Sequence, residues 1–503
     1  GSLHYAYSSK YIVDLTIRAD GSTRYGKGNK WGYFPGISGR WNMSDETFFQ
    51  PLRKVISTFG IRGGWGVNGN TLSSEGLMYN NYSSIGNYGS NNILWGAIAP
   101  DNLRLEMIRW EKSKSWNVGV NLNFLEEMLQ FDFNVYDKKT TDLLMQNRKI
   151  PSSTGFSSLS WANVGEMENK GWELFFNTND ICKIGKFSMV VRANVAQNIN
   201  RINEMDPTVL ASMNAEFNYT NENYLSRVQI GNALGGIYGF RYKGVYRFDY
   251  DHSGYGKNTD YTNTAAAAEA SGDNYTCPVA RDANGNIIYD ANGNPRHMIF
   301  NYGGVNYEFQ GGDAIYEDIN HDGQINELDI VYLGSSNPKI SGGFGFDFKY
   351  GRWTLKTNFN FRIGNKIVNM ALMKAEDMMY NRNQATSVNA RWRKNGDRTD
   401  MPRALNSAAA DGNVYNALAS DRYVSSGDYL RFQYLQLSYR VPEKFLKKYG
   451  LRQLNISASG NNLIFWSKYS GTDPDHSQSG YGPTIDDAQT PRSRSFTVSL
   501  NVG

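Results

Sequence analysis

No run in the 503 residues approaches the roughly 18 consecutive apolar positions that a membrane-crossing helix needs, which excludes that kind of span. Cysteine is nearly missing. Cys182 and Cys277 stand far apart and form no C-x-x-C pair, so they support neither a disulfide framework nor a zinc site. An excess of one charge is missing too. Lys and Arg number 52 against 48 Asp and Glu, a formal net charge of +4, too small and dispersed to argue for a nucleic-acid partner. The start, Gly1-Ser2-Leu3-His4-Tyr5, has no basic stretch leading into an apolar run, so no signal peptide is read there. There is no HExxH, no GxSxG elbow and no phosphate-binding Walker loop. His4, His252, His297, His321 and His476 are scattered. Pairs such as Glu126-Glu127 and Asp486-Asp487 read as solvated turns and loops. Nothing supports catalysis.

What is abundant is aromatic: Tyr 33, Phe 25 and Trp 11, beside 51 glycines and only 13 prolines. The apolar residues fall in strict two-residue alternation. Trp116, Val118, Val120, Leu122 and Phe124 alternate with Asn117, Gly119, Asn121 and Asn123. Phe131, Phe133 and Val135 alternate with Asp132 and Asn134. Trp353 to Ile363 and Phe496 to Val502 repeat the scheme. Successive strand side chains point to opposite faces, so each segment has one apolar and one wet face. Segments of about ten residues match a tilted strand that crosses a bilayer.

A soluble β-sandwich would show the same alternation with its apolar face inward. The connections decide between the two. Short links near 125–127, 181–186, 350–352 and 442–452 alternate with long polar stretches at about 67–108, 143–167, 201–338, 367–428 and 467–493. Outer-membrane barrels combine tight periplasmic turns with large extracellular loops in this way. Counting predicts about thirteen strands, an odd number where complete single-chain barrels usually have an even one, and places Gly1 on the loop side. The reading is all-β: a transmembrane antiparallel β-barrel portion over 1–503, with a long extracellular insertion at about 201–338.

Local motifs are few. Asp318, Asn320, Asp322, Gln324 through its carbonyl, Asn326 and Asp329, with Gly323 at the turn, place oxygen donors as a calcium loop does, at a reach of about 2.4 Å. The position usually held by Glu is the shorter Asp329, and no amphipathic helices flank the loop. A self-bonded Asx turn is the plainer reading. Asp282-Ala-Asn-Gly-Asn286 and Asp290-Ala-Asn-Gly-Asn294 read as hairpin turns. Gly64-Trp-Gly-Val-Asn-Gly69 satisfies GxGxxG, but no helix follows to hold a phosphate. The loop aromatics Trp95, Trp161, Tyr302, Tyr307 and Tyr415 are suited either to stacking on sugars or peptides or to burial among the loops.

Several clusters, in order, resemble the SusC/RagA family of TonB-dependent transporters. They include Arg18-Ala-Asp-Gly-Ser-Thr-Arg-Tyr-Gly26, Trp31-Gly-Tyr-Phe-Pro35, Gly66-Val-Asn-Gly-Asn70 and Trp110-Glu-Lys112 leading into Trp116-Asn-Val-Gly119. Further along come Tyr136-Asp-Lys-Lys-Thr-Thr-Asp-Leu-Leu144, Asn163-Val-Gly-Glu166 with Asn169-Lys-Gly171, Ser336-Asn-Pro-Lys339, Tyr429-Leu-Arg431, Gly460-Asn-Asn-Leu463 and Tyr469-Ser-Gly-Thr-Asp-Pro-Asp475. The resemblance implies a barrel of about 22 strands around a plug, in the bacterial outer membrane and in contact with its lipid. It implies import of oligosaccharides or peptides, a SusD-like lipoprotein lid and energy delivered by TonB. The family's plug and TonB box have no counterpart in these residues, so the resemblance assigns them to a further amino-terminal segment. The carboxy terminus is Gly503, where barrels of this kind usually end on an aromatic residue. The rival readings are a surface-exposed β-rich glycan-binding protein or hydrolase, and a barrel used in assembly or secretion.

Overall fold

The computed structural model describes residues 1–89, 94–146, 148–214, 224–249, 276–302, 305–405, 415–476 and 482–503. His252 lies outside these residues. Thirteen strands follow one another in a single antiparallel path. They are β1 (Ser2–Tyr7), β2 (Tyr11–Gly21), β3 (Trp31–Asn42), β4 (Ile56–Asn70), β5 (Glu111–Phe124), β6 (Leu129–Thr141) and β7 (Glu166–Thr178). The path continues through β8 (Phe187–Glu204), β9 (Ile340–Tyr350), β10 (Trp353–Ile363), β11 (Tyr429–Arg440), β12 (Leu454–Ser467) and β13 (Ser495–Val502). A short strand, Ile181–Ile184, pairs beside β8. Each strand pairs with its neighbours in the chain, the local connectivity that antiparallel hairpins allow. Among the described residues, β1 and β13 each pair on one side only.

The connections divide as the alternation requires. One end of the sheet carries the turns at 8–10, 125–128 and 351–352 and the compact link at 441–453. The other carries 71–110, 142–165, 205–339, 364–428 and 468–494. Gly1 lies at this second, loop-bearing end, where its carbonyl accepts the Ile17 N–H at 2.9 Å.

Register fixes which residues share a face. Val118 opposes Val135, which opposes Trp172; Asn121 opposes Asp132, which opposes Phe175. One face therefore collects Leu15, Ile37, Trp65, Trp116, Val118, Phe133, Leu437 and Val498, all of them exposed. Val118 retains 48% of its accessible surface and Val498 76%, so among the described residues no second protein layer lies over them. The opposite face collects Arg40, Arg62, Asn117, Asn121, Asp132, Asn134, Asn194, Lys356 and Asn358, interrupted by Phe34, Phe175 and Tyr434. A soluble sandwich needs the reverse arrangement, with apolar side chains covered and amides in water. Only hydrocarbon suits an open apolar face of this extent, because monomeric soluble proteins rarely expose more than a few hundred Å² in one patch. Phe131, Phe133, Phe359 and Phe361 take the apolar face, as expected.

Aromatic residues mark both margins of this face. Trp353 packs on Tyr439 at 4.6 Å beside the 351–352 turn. Trp65 opposes Trp116 nearer the loops. From Phe124 to Trp116 is eight residues, about 20 Å of height for a strand tilted by ~45°. That is close to the apolar belt of an outer-membrane barrel.

Candidate functional site

The polar face is held by charged pairs lying flat across several strands. Arg62 on β4 donates to Asp132 on β6 through both terminal nitrogens, at 2.5 and 2.9 Å, and to Asn121 on β5 at 2.7 Å. Arg40 on β3 reaches the same Asn121 at 3.1 Å, and the Asn121 amide donates to Asp132 at 2.5 Å. Glycine makes the space. A Cβ at Gly119 would collide with the Asn134 amide and lie 3.0 Å from Arg62 Nε, and one at Gly60 would lie 3.0 Å from Arg40 Nη2. Further round the sheet, Arg192 on β8 pairs with Asp347 on β9 at 2.5 Å. The two-pronged, charge-assisted bond of Arg62 to Asp132 is of the stronger kind, and its planar geometry suits guanidinium.

Nearer the loops the polar face becomes amide-rich. Tyr136, Asn169, Glu173, Asn198 and Asn200, with Leu234 and Asn337 from the insertion, line a groove of about 560 Å³. Tyr136 Oη donates to Asn198 at 3.2 Å, and Asn200 donates to Asn169 at 3.0 Å. Asn337 Nδ2 donates to the Leu234 carbonyl at 2.7 Å, so the Ser336–Lys339 cluster bends the insertion onto the wall. These residues lie a few positions below the loop-bearing ends of β7 and β8.

Above this face the long connections fold into compact bodies of their own. Tyr238, Phe240, Tyr246, Phe300, Phe309, Tyr316, Ile325 and Tyr415 share a buried core. Tyr307 stacks on Tyr415 at 4.2 Å. Arg403 and Asp313 pair at 2.6 Å beneath them, and burial next to the Asp313 carboxylate pushes the Tyr307 hydroxyl well above its ordinary range. Tyr307 and Tyr415 are thus structural. Trp161 packs against a second cluster of Tyr25, Phe34, Leu72 and Trp110 and donates to Ser74 at 3.1 Å. Trp95 stays exposed, and the Tyr302 side chain lies outside the described residues. The motif clusters around Tyr25, Phe34 and Trp110, far apart in sequence, meet here: Tyr25 stacks on Trp110 at 5.0 Å.

Two other clusters also join. Arg431 on β11 and Asp473 in the last long loop form an ion pair at 2.5 Å, with 2% and 3% of their side chains exposed. The Arg431 guanidinium also lies over the rings of Tyr429 and Phe465. Asp475 pairs with Arg362 on β10 at 3.2 Å and with Arg492 at 2.7 Å. The loop is pinned to the polar face by groups from both sides.

The loop at 318–329 closes on itself. Asp318 accepts the Gly323 N–H at 2.7 Å, Asp322 accepts the Gln324 N–H at 2.8 Å, and Asn320 donates to Asp322 at 3.0 Å. Asp329, fully buried, accepts the Ile319 and Asn326 N–H groups at 2.8 and 2.9 Å. Burial, with Asp318 and Asp322 nearby, raises the Asp329 carboxyl to about 6. The Gln324 amide is turned to Asn301. Among the described residues no three His, Cys, Asp or Glu side chains gather as a metal set. The Asp282 and Asp290 repeats are hairpin turns, each Asp accepting N–H groups two and four residues on. Gly64–Gly69 lies within β4 and cradles nothing.

Sequence reasoning had named no ligand contacts and had missed the polar-face pairs. Its signal for them was the run of Asn, Arg and Asp at alternate strand positions. Which of those residues oppose one another depends on register.

No protein-family profile matches the chain. Over its whole length it is similar to TonB-dependent receptor P3 of Formosa agariphila, at 29% identity across 516 aligned residues and 45% of that protein. Half of it is similar to the TonB-dependent receptor SusC of Bacteroides thetaiotaomicron, at 28% identity and 25% of that protein's length. The whole chain superimposes on 47% of a chain in the structure of the RagAB peptide transporter, with a TM-score of 0.71 at 18% identity. The chain thus spans less than half the length of these relatives. The SusC/RagA resemblance and the barrel fold are borne out, and they place the chain in the outer membrane. The relatives are receptors and transporters, not enzymes.

Proposed function

We propose that this chain forms the greater part of the wall of a TonB-dependent importer, which takes up oligosaccharides or peptides with a SusD-like lipoprotein as lid. The observation that carries the reading is the division of faces: an open apolar side toward lipid and a hydrogen-bonded polar side toward a lumen. Solute passes along the Asn-rich side, where the Asn169–Asn200 groove offers amide and hydroxyl partners to a neutral polar chain. A plug on the remaining part of the protein gates that lumen, and TonB supplies the work. The test is uptake by cells carrying the full-length protein. Import that requires TonB, and a lid-type lipoprotein recovered with the detergent-extracted receptor, support the proposal. A receptor released by buffer alone, or import unchanged without TonB, contradicts it.

We further propose that the loop at 318–329 takes a structural calcium ion through Asp318, Asn320, Asp322, the Gln324 carbonyl and Asp329. The support is the donor spacing and the closure of Gly323 onto Asp318, which wraps the loop around one point. Calcium would stiffen the insertion and take no part in chemistry. Calcium-dependent slowing of amide exchange at 318–329, lost in Asp318→Asn, is expected. Exchange indifferent to calcium and chelator refutes the site.

A further inference from the structure

The apolar face is graded in depth. Across β5 to β8, Val120, Phe133, Leu174 and Val195 oppose one another in one row. Two rows nearer the loops, Trp116 stands in line with Asp137 and Lys170. In the next row Lys114 directly opposes Lys139, followed by Glu168 and Arg201, and Lys112 lies one further step out on β5. Four cations, Lys112, Lys114, Lys139 and Arg201, therefore stand on the lipid-facing side immediately beyond the tryptophans Trp65 and Trp116, with Lys170 level with them.

Three acidic groups share this rim, and two of the cations occupy them. Lys139 pairs with Glu166 at 2.7 Å, and Lys170 with Glu168 at 3.0 Å and Asp137 at 3.6 Å. Lys112, Lys114 and Arg201 are exposed and make no ion pair among the described residues. Like charges directly opposed across a strand pair repel; Glu166 offsets the charge of Lys139, and Lys114 opposite it has no such partner among the described residues, so an anion beside Lys114 is favoured. Indole rings mark the boundary of the hydrocarbon, so side chains one to two rows beyond them reach the level of lipid phosphates. Cations at that depth attract anionic headgroups.

We propose that Lys112, Lys114 and Arg201, backed by Lys139, bind the phosphates of anionic glycolipid headgroups in the outer leaflet. The proposal rests on the apolar face being the lipid face. The test uses the full-length receptor in detergent, presented with lipid A and with lipid A stripped of its phosphates, and bound lipid is read by native mass spectrometry. The wild-type protein is expected to retain the phosphorylated form, and the K112Q/K114Q/R201Q variant to retain at least ~10-fold less. K183Q/K186Q/K447Q, which removes the same charge at the tight-turn end, should retain it unchanged. Equal retention of both lipids, equal loss in the two variants, or full displacement by millimolar inorganic phosphate overturns the proposal, the last by identifying a free-anion site. Heat-modifiable gel migration of every variant shows the barrel intact. Its absence from the wild-type protein would refute the barrel reading itself, a separate failure.

Discussion

Arg62 holds three strands together from one side chain, and it can do so only because Gly119 leaves room beneath it. Gly119→Ala is expected to push the guanidinium off Asp132 and Asn121 and to cost about 1–3 kcal/mol, the range for overpacking a well-filled site. Urea titration of the folded barrel, followed by gel mobility, measures it. The buried pair of Arg431 and Asp473 should be more sensitive. Removing one partner leaves a charge without compensation, at about 3–5 kcal/mol, whereas replacing both by apolar groups is far milder. Arg431→Met is therefore expected to loosen the loop at 468–494, read as faster amide exchange, and Arg431→Met with Asp473→Leu to restore much of the protection. Equal exchange in the single and double variants would show that the pair does not fasten the loop.

At the scale of the strand, the two faces should respond oppositely to the same substitution. Phe133→Arg places a charge on the lipid face at mid-depth, in the row shared with Val120, and should cost about 2–4 kcal/mol. Asn134→Arg, one residue away on the polar face, should cost little beyond its effect on Arg62. Refolding into lipid vesicles under urea compares the two, and equal costs would mean that the faces are not distinct environments. The strands were legible in the sequence because alternation is a local property: Trp116 to Phe124 declares its two sides without reference to any partner. The turn at 125–128 and the link at 441–453 were legible for the same reason. The interiors of the long loops were not. Tyr307 and Tyr415 meet across more than a hundred residues, and nothing local distinguishes a buried loop tyrosine from one that grips a ligand. The clusters at Tyr429–Arg431 and Tyr469–Asp475 stood out as motifs, but their union depends on how the last loop folds back. The cationic row needed register as well, because Lys114 and Arg201 are neighbours only through two intervening strands.

At the scale of the whole molecule, both margins of the sheet, β1 and β13, are exposed along their length, and the loops gather at one end. Such a sheet is a sector of a larger cylinder, the shape on which the RagAB superposition rests. All of this depends on lipid lying against the apolar face. The direct measurement introduces single cysteines into the full-length receptor in vesicles, at Val118, Phe133 and Leu437 on one face and at Asn117, Asn134 and Gln436 on the other, each carrying a fluorophore. Bromine-labelled lipid is predicted to quench the first set while an aqueous quencher reaches the second. Lipid quenching of the asparagine and glutamine positions, or protection of Val118, Phe133 and Leu437 from lipid, would contradict the account.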